Sequence, residues 1–142
     1  MTYEEMTQTL MDIMPTLRSH ESVQQLSNVT AGEFAALSYL AGEHNGATAG
    51  ELTSAIRVGS SRTTAILQSM EKKGLLKRES DPDDGRRVLA FLTEKGAALE
   101  KTQRELAMNG LCNLLKYLGE TDAESLLRIL KRVLDYQNPE QE

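Results

Sequence analysis

The feature that most constrains this chain is a change of hydrophobic period at Gly74. Before it, Ile66, Leu67 and Met70 recur at helical spacing, which predicts a helix from about Ser60 to Lys73. Beyond it the period falls to two. Leu76–Ser80 and Arg87–Leu92 read as short strands, joined by Asp81-Pro82-Asp83-Asp84-Gly85, a run of turn-favouring residues. Gly74 suits the left-handed position past a helix end. Upstream, Leu52 and Ile56 mark a short helix over about Ala49–Ile56, with Arg57-Val58-Gly59 as a three-residue joint. Two helices around a tight, glycine-containing turn form a candidate helix-turn-helix, and a hairpin directly after one is a wing. The expected fold class is mainly α with a small β-hairpin wing.

The flanks are helical in pattern. Met6, Leu10, Ile13, Met14 and Leu17 share one face, and Pro15 predicts a kink or restart near Met14-Pro15 because proline has no amide donor. Three helix starts carry a threonine followed three residues later by glutamate: Thr30 with Glu33, Thr48 with Glu51, and Thr121 with Glu124. The first opens a helix over about Ala31–His44 with Phe34, Leu37 and Leu40 on its apolar face. Thr93 caps a long helix reaching about Leu118, roughly 40 Å in length. A last helix, about Asp122–Tyr136, carries Leu126, Leu127, Ile129, Leu130, Val133 and Leu134 before Asn138-Pro139 ends it. Residues 29–96 thus read as a winged helix-turn-helix domain, and 1–28 with 97–142 as a helical dimerisation region. So apolar an arm on so small a chain requires a partner surface, and a second copy in a two-fold homodimer is the simplest.

With 142 residues the chain fits one domain, and no apolar run is long enough to span a membrane. The acidic N-terminus lacks a secretory pattern, so a cytoplasmic location is expected. Cys112 has no internal disulfide partner, and two histidines with one cysteine cannot supply a four-cysteine or two-cysteine, two-histidine zinc site. Cys112 itself reads as a buried packing residue on the long helix. His20 and His44 read as exposed residues at helix ends. No nucleophile and base pair, phosphate-cradling glycine loop or paired-carboxylate pocket is visible, so the chain does not read as an enzyme and implies no cofactor.

The net charge is −5, but its distribution is uneven. Between Arg57 and Arg87 lie eight basic and five acidic residues, leaving eight basic and sixteen acidic elsewhere. A basic centre in an acidic chain marks one surface for a polyanion. Within it, Ser60, Ser61, Arg62 and Thr64 open the second helix, where an arginine can grip guanine and short hydroxyls can reach phosphates or base edges. A capping role for Ser60 or Ser61 is the competing explanation. Gln68, two turns on, faces either the groove edge or solvent. At the wing, Asp84 sits beside Arg86 and Arg87; a guanidinium held by a carboxylate is prepared for the negative potential of a narrow minor groove.

Taken in order, these residues resemble the MarR family of bacterial transcriptional regulators. The resemblance rests on Val29-Thr30, Glu51-Leu52, Val58-Gly59-Ser60-Ser61-Arg62-Thr63-Thr64, Met70 through Arg78, Asp81 through Arg87 and Leu92-Thr93-Glu94-Lys95-Gly96, and extends over essentially the whole chain. It implies an obligate dimer with recognition helices in successive major grooves of a pseudo-palindromic double-stranded DNA operator, and wings in the minor groove. Ser61, Arg62 and Thr64 match its groove-facing helix positions, Asp84 its wing aspartate and Arg86 its second wing arginine. Gly85 stands where the family usually has a basic residue, so either Arg86 or Arg87 enters the groove; Ser69 also stands where a basic residue is common, and both changes weaken the nonspecific part of binding. Half-sites about 10 base pairs apart follow from the two-fold axis. The resemblance implies a repressor released by a small-molecule effector; the alternative is a winged-helix protein-docking module without its own operator. Peroxide-sensing relatives use an N-terminal-helix cysteine and zinc-sensing ones arm-helix histidines, and residues 93–118 and the N-terminal helix lack them. That leaves a small apolar or phenolic ligand in the crevice between arm and DNA-binding lobe, or no ligand.

Overall fold

The computed structural model describes residues 1–136. In chain order it runs α1 (Tyr3–Ser19), α2 (Glu21–Thr30), α3 (Gly32–Ala41), β1 (Ala47–Thr48), α4 (Ala49–Ile56), α5 (Ser60–Lys72), β2 (Leu76–Ser80), β3 (Val88–Leu92), α6 (Glu94–Leu118) and α7 (Glu120–Leu134). The strands form an antiparallel sheet ordered β1-β3-β2, with Ala47 opposite Ala90 and the hairpin registered from Leu76–Leu92 to Ser80–Val88. This is the mainly helical, winged architecture expected from the period change at Gly74, which sits at φ 74° and lets Leu75 N–H reach the Met70 carbonyl.

Capping chemistry explains which boundaries the sequence discloses. Thr48 and Glu51 form the reciprocal box at α4: Glu51 N–H donates to Thr48 Oγ1 at 3.2 Å and Thr48 N–H to Glu51 Oε2 at 3.0 Å. Thr2 and Glu5 form the same box at α1. Thr93 caps α6, accepting from Gly96 N–H at 3.1 Å. The other two expected boxes do not form. At Thr30 the hydroxyl turns back to the Leu26 carbonyl at 2.8 Å, Ala31 is the N-cap of α3, and Glu33 is drawn to α5. At Thr121, helix α7 has already begun, because Gly119 at φ 82° reverses the chain in a single residue and α7 starts at Glu120.

Pro15 neither breaks nor restarts its helix. α1 runs through it to Ser19 and the break falls at His20, in extended conformation, beyond which α2 is a separate element. Every residue of α1 is exposed, so the carbonyl that Pro15 leaves without a donor is open to water. α3 stops at Ala41, short of His44, since the chain must turn to add β1 to the sheet: Gly46 N–H donates to the Ala90 carbonyl and Leu92 N–H to Asn45 Oδ1. Strand β3 starts at Val88; Arg87 belongs to the tip, its N–H bonded to the Asp84 carbonyl. Asn138-Pro139 lies outside the described residues.

The core lies inside the winged lobe. Leu37 and Leu40 of α3, Leu52 of α4, Leu67 and Met70 of α5, Leu75, Leu76 and Ala90 close around one another at 3% exposure or less. At about 1.5–3 kcal/mol for each fully buried large side chain, this cluster is what fixes α5 against α3 and α4. Gly96, at the start of α6, is pressed against the Leu75 backbone so closely that any side chain would collide with its carbonyl. By contrast α1, α2 and α7 bury no residue at all.

Candidate nucleic-acid interface

Helix α5 divides cleanly into two faces. Thr63, Ile66, Leu67 and Met70 are buried, and Ser60, Ser61, Arg62, Thr64, Ala65 and Gln68 are exposed. Thr63 explains how a hydroxyl can sit in the inner face: it donates to the Gly59 carbonyl at 3.2 Å and accepts from Thr53 Oγ1 at 2.8 Å, locking α4 to α5. The N-cap of α5 is Gly59, with no side-chain cap bond, so neither Ser60 nor Ser61 has the capping role open to it in sequence. Thr64 Oγ1 donates to the Ser60 carbonyl at 3.0 Å and keeps its acceptor lone pairs free. All five expected helix residues therefore share one solvent-facing surface. Ala65, in the middle of it, went unread because a single alanine carries no chemical signal, although its methyl is of a size to meet a thymine methyl.

Two further arginines belong to the same basic segment, one at the α4–α5 joint and one at the wing tip. Arg57, at the C-cap of α4, adopts a left-handed conformation (φ 56°, ψ 46°) and is the sole non-glycine with positive φ among the described residues. Such a position costs a β-carbon-bearing residue roughly 1 kcal/mol, and glycine nothing. In sequence Arg57 read only as part of the joint. At the wing, Asp81 Oδ1 accepts from Asp83 N–H at 2.9 Å and Asp84 Oδ1 from Arg86 N–H at 3.1 Å, two local turns that shape the tip. The carboxylate of Asp84 thus holds the Arg86 backbone and leaves its guanidinium free. It is Arg87 that is tethered, 3.8 Å from Glu51 Oε1 and 4.0 Å from Asp81 Oδ2.

The ion pairs sort the basic segment. Lys73 pairs with Glu33, Lys77 with Glu79, Arg78 with Glu71 and Arg87 with Glu51 and Asp81. Of the basic residues from Arg57 to Arg87, Arg57, Arg62, Lys72 and Arg86 form no ion pair among the described residues. The Arg78 guanidinium, 2.7 Å from Glu71, holds that carboxyl below its ordinary value. Burial pushes Glu33 upward, but its bonds from Lys73 and Ser69 outweigh that and leave it lowered.

Elsewhere, Cys112 is exposed and does not pack inside the chain; it lines a cleft of about 700 Å³ with Met108, Leu111 and Leu115 where α6 meets α7. A second cleft, about 580 Å³, lies between the α1–α2 joint and α6, with His20, Gln25, Asn113 and Tyr117 in its wall. His44 is exposed and stacks on Tyr39, ring centroids 4.2 Å apart. Among the described residues no cluster of three or more His, Cys, Asp or Glu is placed to hold a metal ion, and no helix is long and apolar enough to cross a membrane.

With this geometry in place, comparison with known proteins identifies the class. The MarR family model matches residues 27–87. An uncharacterised helix-turn-helix-type transcriptional regulator of Mycobacterium leprae is 33% identical over 72% of this chain and 70% of its own length. The organic hydroperoxide resistance transcriptional regulator of Bacillus subtilis is 32% identical over 76% of this chain and 71% of its own length. In structure, a MepR mutant from S. aureus bound to an oligodeoxyribonucleotide superposes with a TM-score of 0.58 at 22% identity, covering 95% of this chain and 97% of that one, a likeness of fold. The chain belongs to the MarR family and is a winged helix-turn-helix, DNA-binding transcriptional regulator.

Proposed function

We propose that the protein acts as a homodimeric repressor that occupies a pseudo-palindromic operator, with residues 29–96 as the DNA-binding domain and 1–28 and 97–142 as the dimerisation arm. The observation that carries this reading is the exposed α5 face with unpaired Arg62 in its first turn, joined by exposed, unpaired Arg57 at the α4–α5 joint and Arg86 at the wing tip. Arg62 reads a guanine in the major groove while Ser60, Ser61, Thr64 and Gln68 bond phosphates and base edges. Arg86, not Arg87, enters the minor groove, because Arg87 is held back against α4. Asp84 serves by shaping the turn under Arg86. Arg57 adds a phosphate contact beside the recognition helix.

Dimerisation is supported by the apolar stripe of α1 (Met6, Leu10, Ile13, Leu17) and by Leu127, Ile129, Leu130 and Val133 of α7, all exposed in the single chain. Release by a small apolar or phenolic ligand in the crevice between arm and lobe would act by favouring a lobe spacing that no longer matches successive grooves. The protein works where the chromosome lies, in the cytoplasm, by occupancy and without catalysis.

In-vitro selection from random duplex DNA, followed by a salt series on the enriched sites, tests the reading. The expected result is an inverted repeat with half-sites about 10 base pairs apart, bound with a steep loss of affinity as salt rises. Absence of enrichment at low salt would contradict it.

A further inference from the structure

The carboxylate of Glu33 stands at a junction between the two halves of the molecule. It occupies the first turn of α3, immediately after Ala31 and Gly32, where the chain leaves α2. α2 lies along α6, so this joint is where the chain passes from the arm to the winged lobe. Gly32 at φ 58° allows the sharp change of direction, and no neighbouring atom would block a side chain there, so the conformation is a local backbone requirement. From that corner Glu33 reaches to α5: Oε1 accepts from Ser69 Oγ at 2.5 Å and from Lys73 Nζ at 3.0 Å, and Oε2 from Lys73 Nζ at 2.8 Å. Its side chain is 26% exposed, sheltered more than that of Lys73 at 56%.

We propose that Glu33 is a positioning residue for DNA recognition: its three bonds to Ser69 and Lys73 fix the last turns of the recognition helix against the corner at which α2 meets α3. The inference rests on the reading of α5 as the DNA-reading helix. Two observations support it. The inner face of α5 is held by Thr63, Ile66, Leu67 and Met70, with Met70 packing against α3 in the last turns; Ser69 and Lys73 add polar bonds from the flank of α5 to the first turn of α3. And the glutamate has forgone the capping bond that its spacing from Thr30 offered, while the carboxyl remains lowered although burial alone would raise it. A serine at position 69 is what allows the contact, since its hydroxyl is short enough to donate to Oε1 from within the helix surface. A displacement of the α2–α3 corner therefore moves Glu33, and with it the end of α5.

The sign of the effect separates positioning from simple electrostatics. Glu33 is an anion near a surface meant for a polyanion, so if its charge alone mattered, removing it would tighten binding to any duplex. A positioning role requires the reverse for the cognate site. The experiment compares wild type, Glu33→Ala, Ser69→Ala and the double variant by fluorescence anisotropy on the site enriched from random duplex and on a scrambled duplex of equal length, with Arg62→Ala as reference and circular dichroism to verify folding. Glu33→Ala is expected to weaken the enriched site about fivefold, the scale of one exposed-to-half-buried ionic contact. Ser69→Ala, which changes no charge and leaves the core intact, is expected to weaken it about twofold. The double variant should be no weaker than Glu33→Ala, because both act through one set of bonds. Affinity for the scrambled duplex should stay level or rise with Glu33→Ala. Equal or tighter binding of the enriched site by folded Glu33→Ala would overturn the proposal. If Glu33→Ala does not fold, unchanged binding by Ser69→Ala overturns it instead. Normal binding by Arg62→Ala would mean that the reading of α5 itself has failed, and the proposal with it; an Arg62→Ala defect beside a normal Glu33→Ala would fault the positioning role alone.

Discussion

The winged lobe and the helical arm solve the same problem of apolar burial in opposite ways. In the lobe, α3, α4, α5 and the three-stranded sheet close on one another, and Leu37, Leu52 and Met70 are fully excluded from water within a single chain. In the arm, α1 and α7 bury nothing, and leucines as exposed as Leu134, at 84%, line α7. The difference shows where the folding unit ends. Helices α3 to α5, the sheet and the start of α6 close a core within one chain, whereas the arm has apolar faces that one chain leaves uncovered, and the proposed second copy covers them.

The largest test of this contrast pairs a lobe residue with an arm residue. Leu52→Ala should destabilise the protein by about 2–5 kcal/mol, by lost burial and a residual cavity, and the loss should not depend on protein concentration. Leu130→Asp should lower the melting temperature most at low protein concentration, because it acts on association. Denaturation at two or more concentrations distinguishes them; a concentration-independent effect at Leu130 would place its partner inside the chain.

Next in size are the reading surfaces. Arg62→Ala should cost about 1–3 kcal/mol in operator affinity and relax base preference at one position of each half-site, measured on operator variants. Arg86→Ala should weaken all duplexes evenly and reduce the salt slope by about one, while Arg87→Ala does so less, its guanidinium being held by Glu51 and Asp81. Arg57→Gly should separate stability from binding: relief of the left-handed position leaves the fold unchanged or firmer by up to about 1 kcal/mol, yet DNA affinity falls.

The smallest effect concerns acid. Glu33 has a folded value below its ordinary 4.5, so its stabilising contribution is fully present above that pH and is lost as pH falls through the folded value. The stability difference between wild type and Glu33→Gln, at most about 1 kcal/mol, should therefore shrink between pH 6 and pH 3 in thermal unfolding. A difference that grows on acidification would show that the bonds from Lys73 and Ser69 do not favour the charged carboxylate.

The parts legible in sequence were those with local causes. Gly74, the period change after it and the Thr48 and Thr93 caps each act within a few residues, and they locate α4, α5, the wing and α6 closely. The parts that were not legible depend on distant partners. Glu33 has the same spacing to Thr30 that Glu51 has to Thr48, and what separates them is that Thr30 stays within α2, bonded to Leu26, while Glu33 meets Ser69 and Lys73 of the neighbouring helix. The break at His20, in place of one at Pro15, and the two-residue strand β1 likewise answer to packing that no local pattern announces. On the candidate surface the exposed residues of α5 could be named from helical spacing. Which wing arginine has an ion-pair partner could not, because one of the partners of Arg87 is Glu51, more than thirty residues upstream. Cys112, expected to be buried, is exposed because it lies on a face of α6 that one chain leaves open.

Sedimentation equilibrium of the purified protein over a range of micromolar concentrations tests the central contrast most directly. A lobe whose core closes within one chain, carried on an arm that one chain leaves uncovered, predicts a particle of twice the 15.7 kDa chain mass, reduced toward 15.7 kDa by Leu130→Asp without loss of helical signal. A stable, fully folded 15.7 kDa monomer across that range would contradict it.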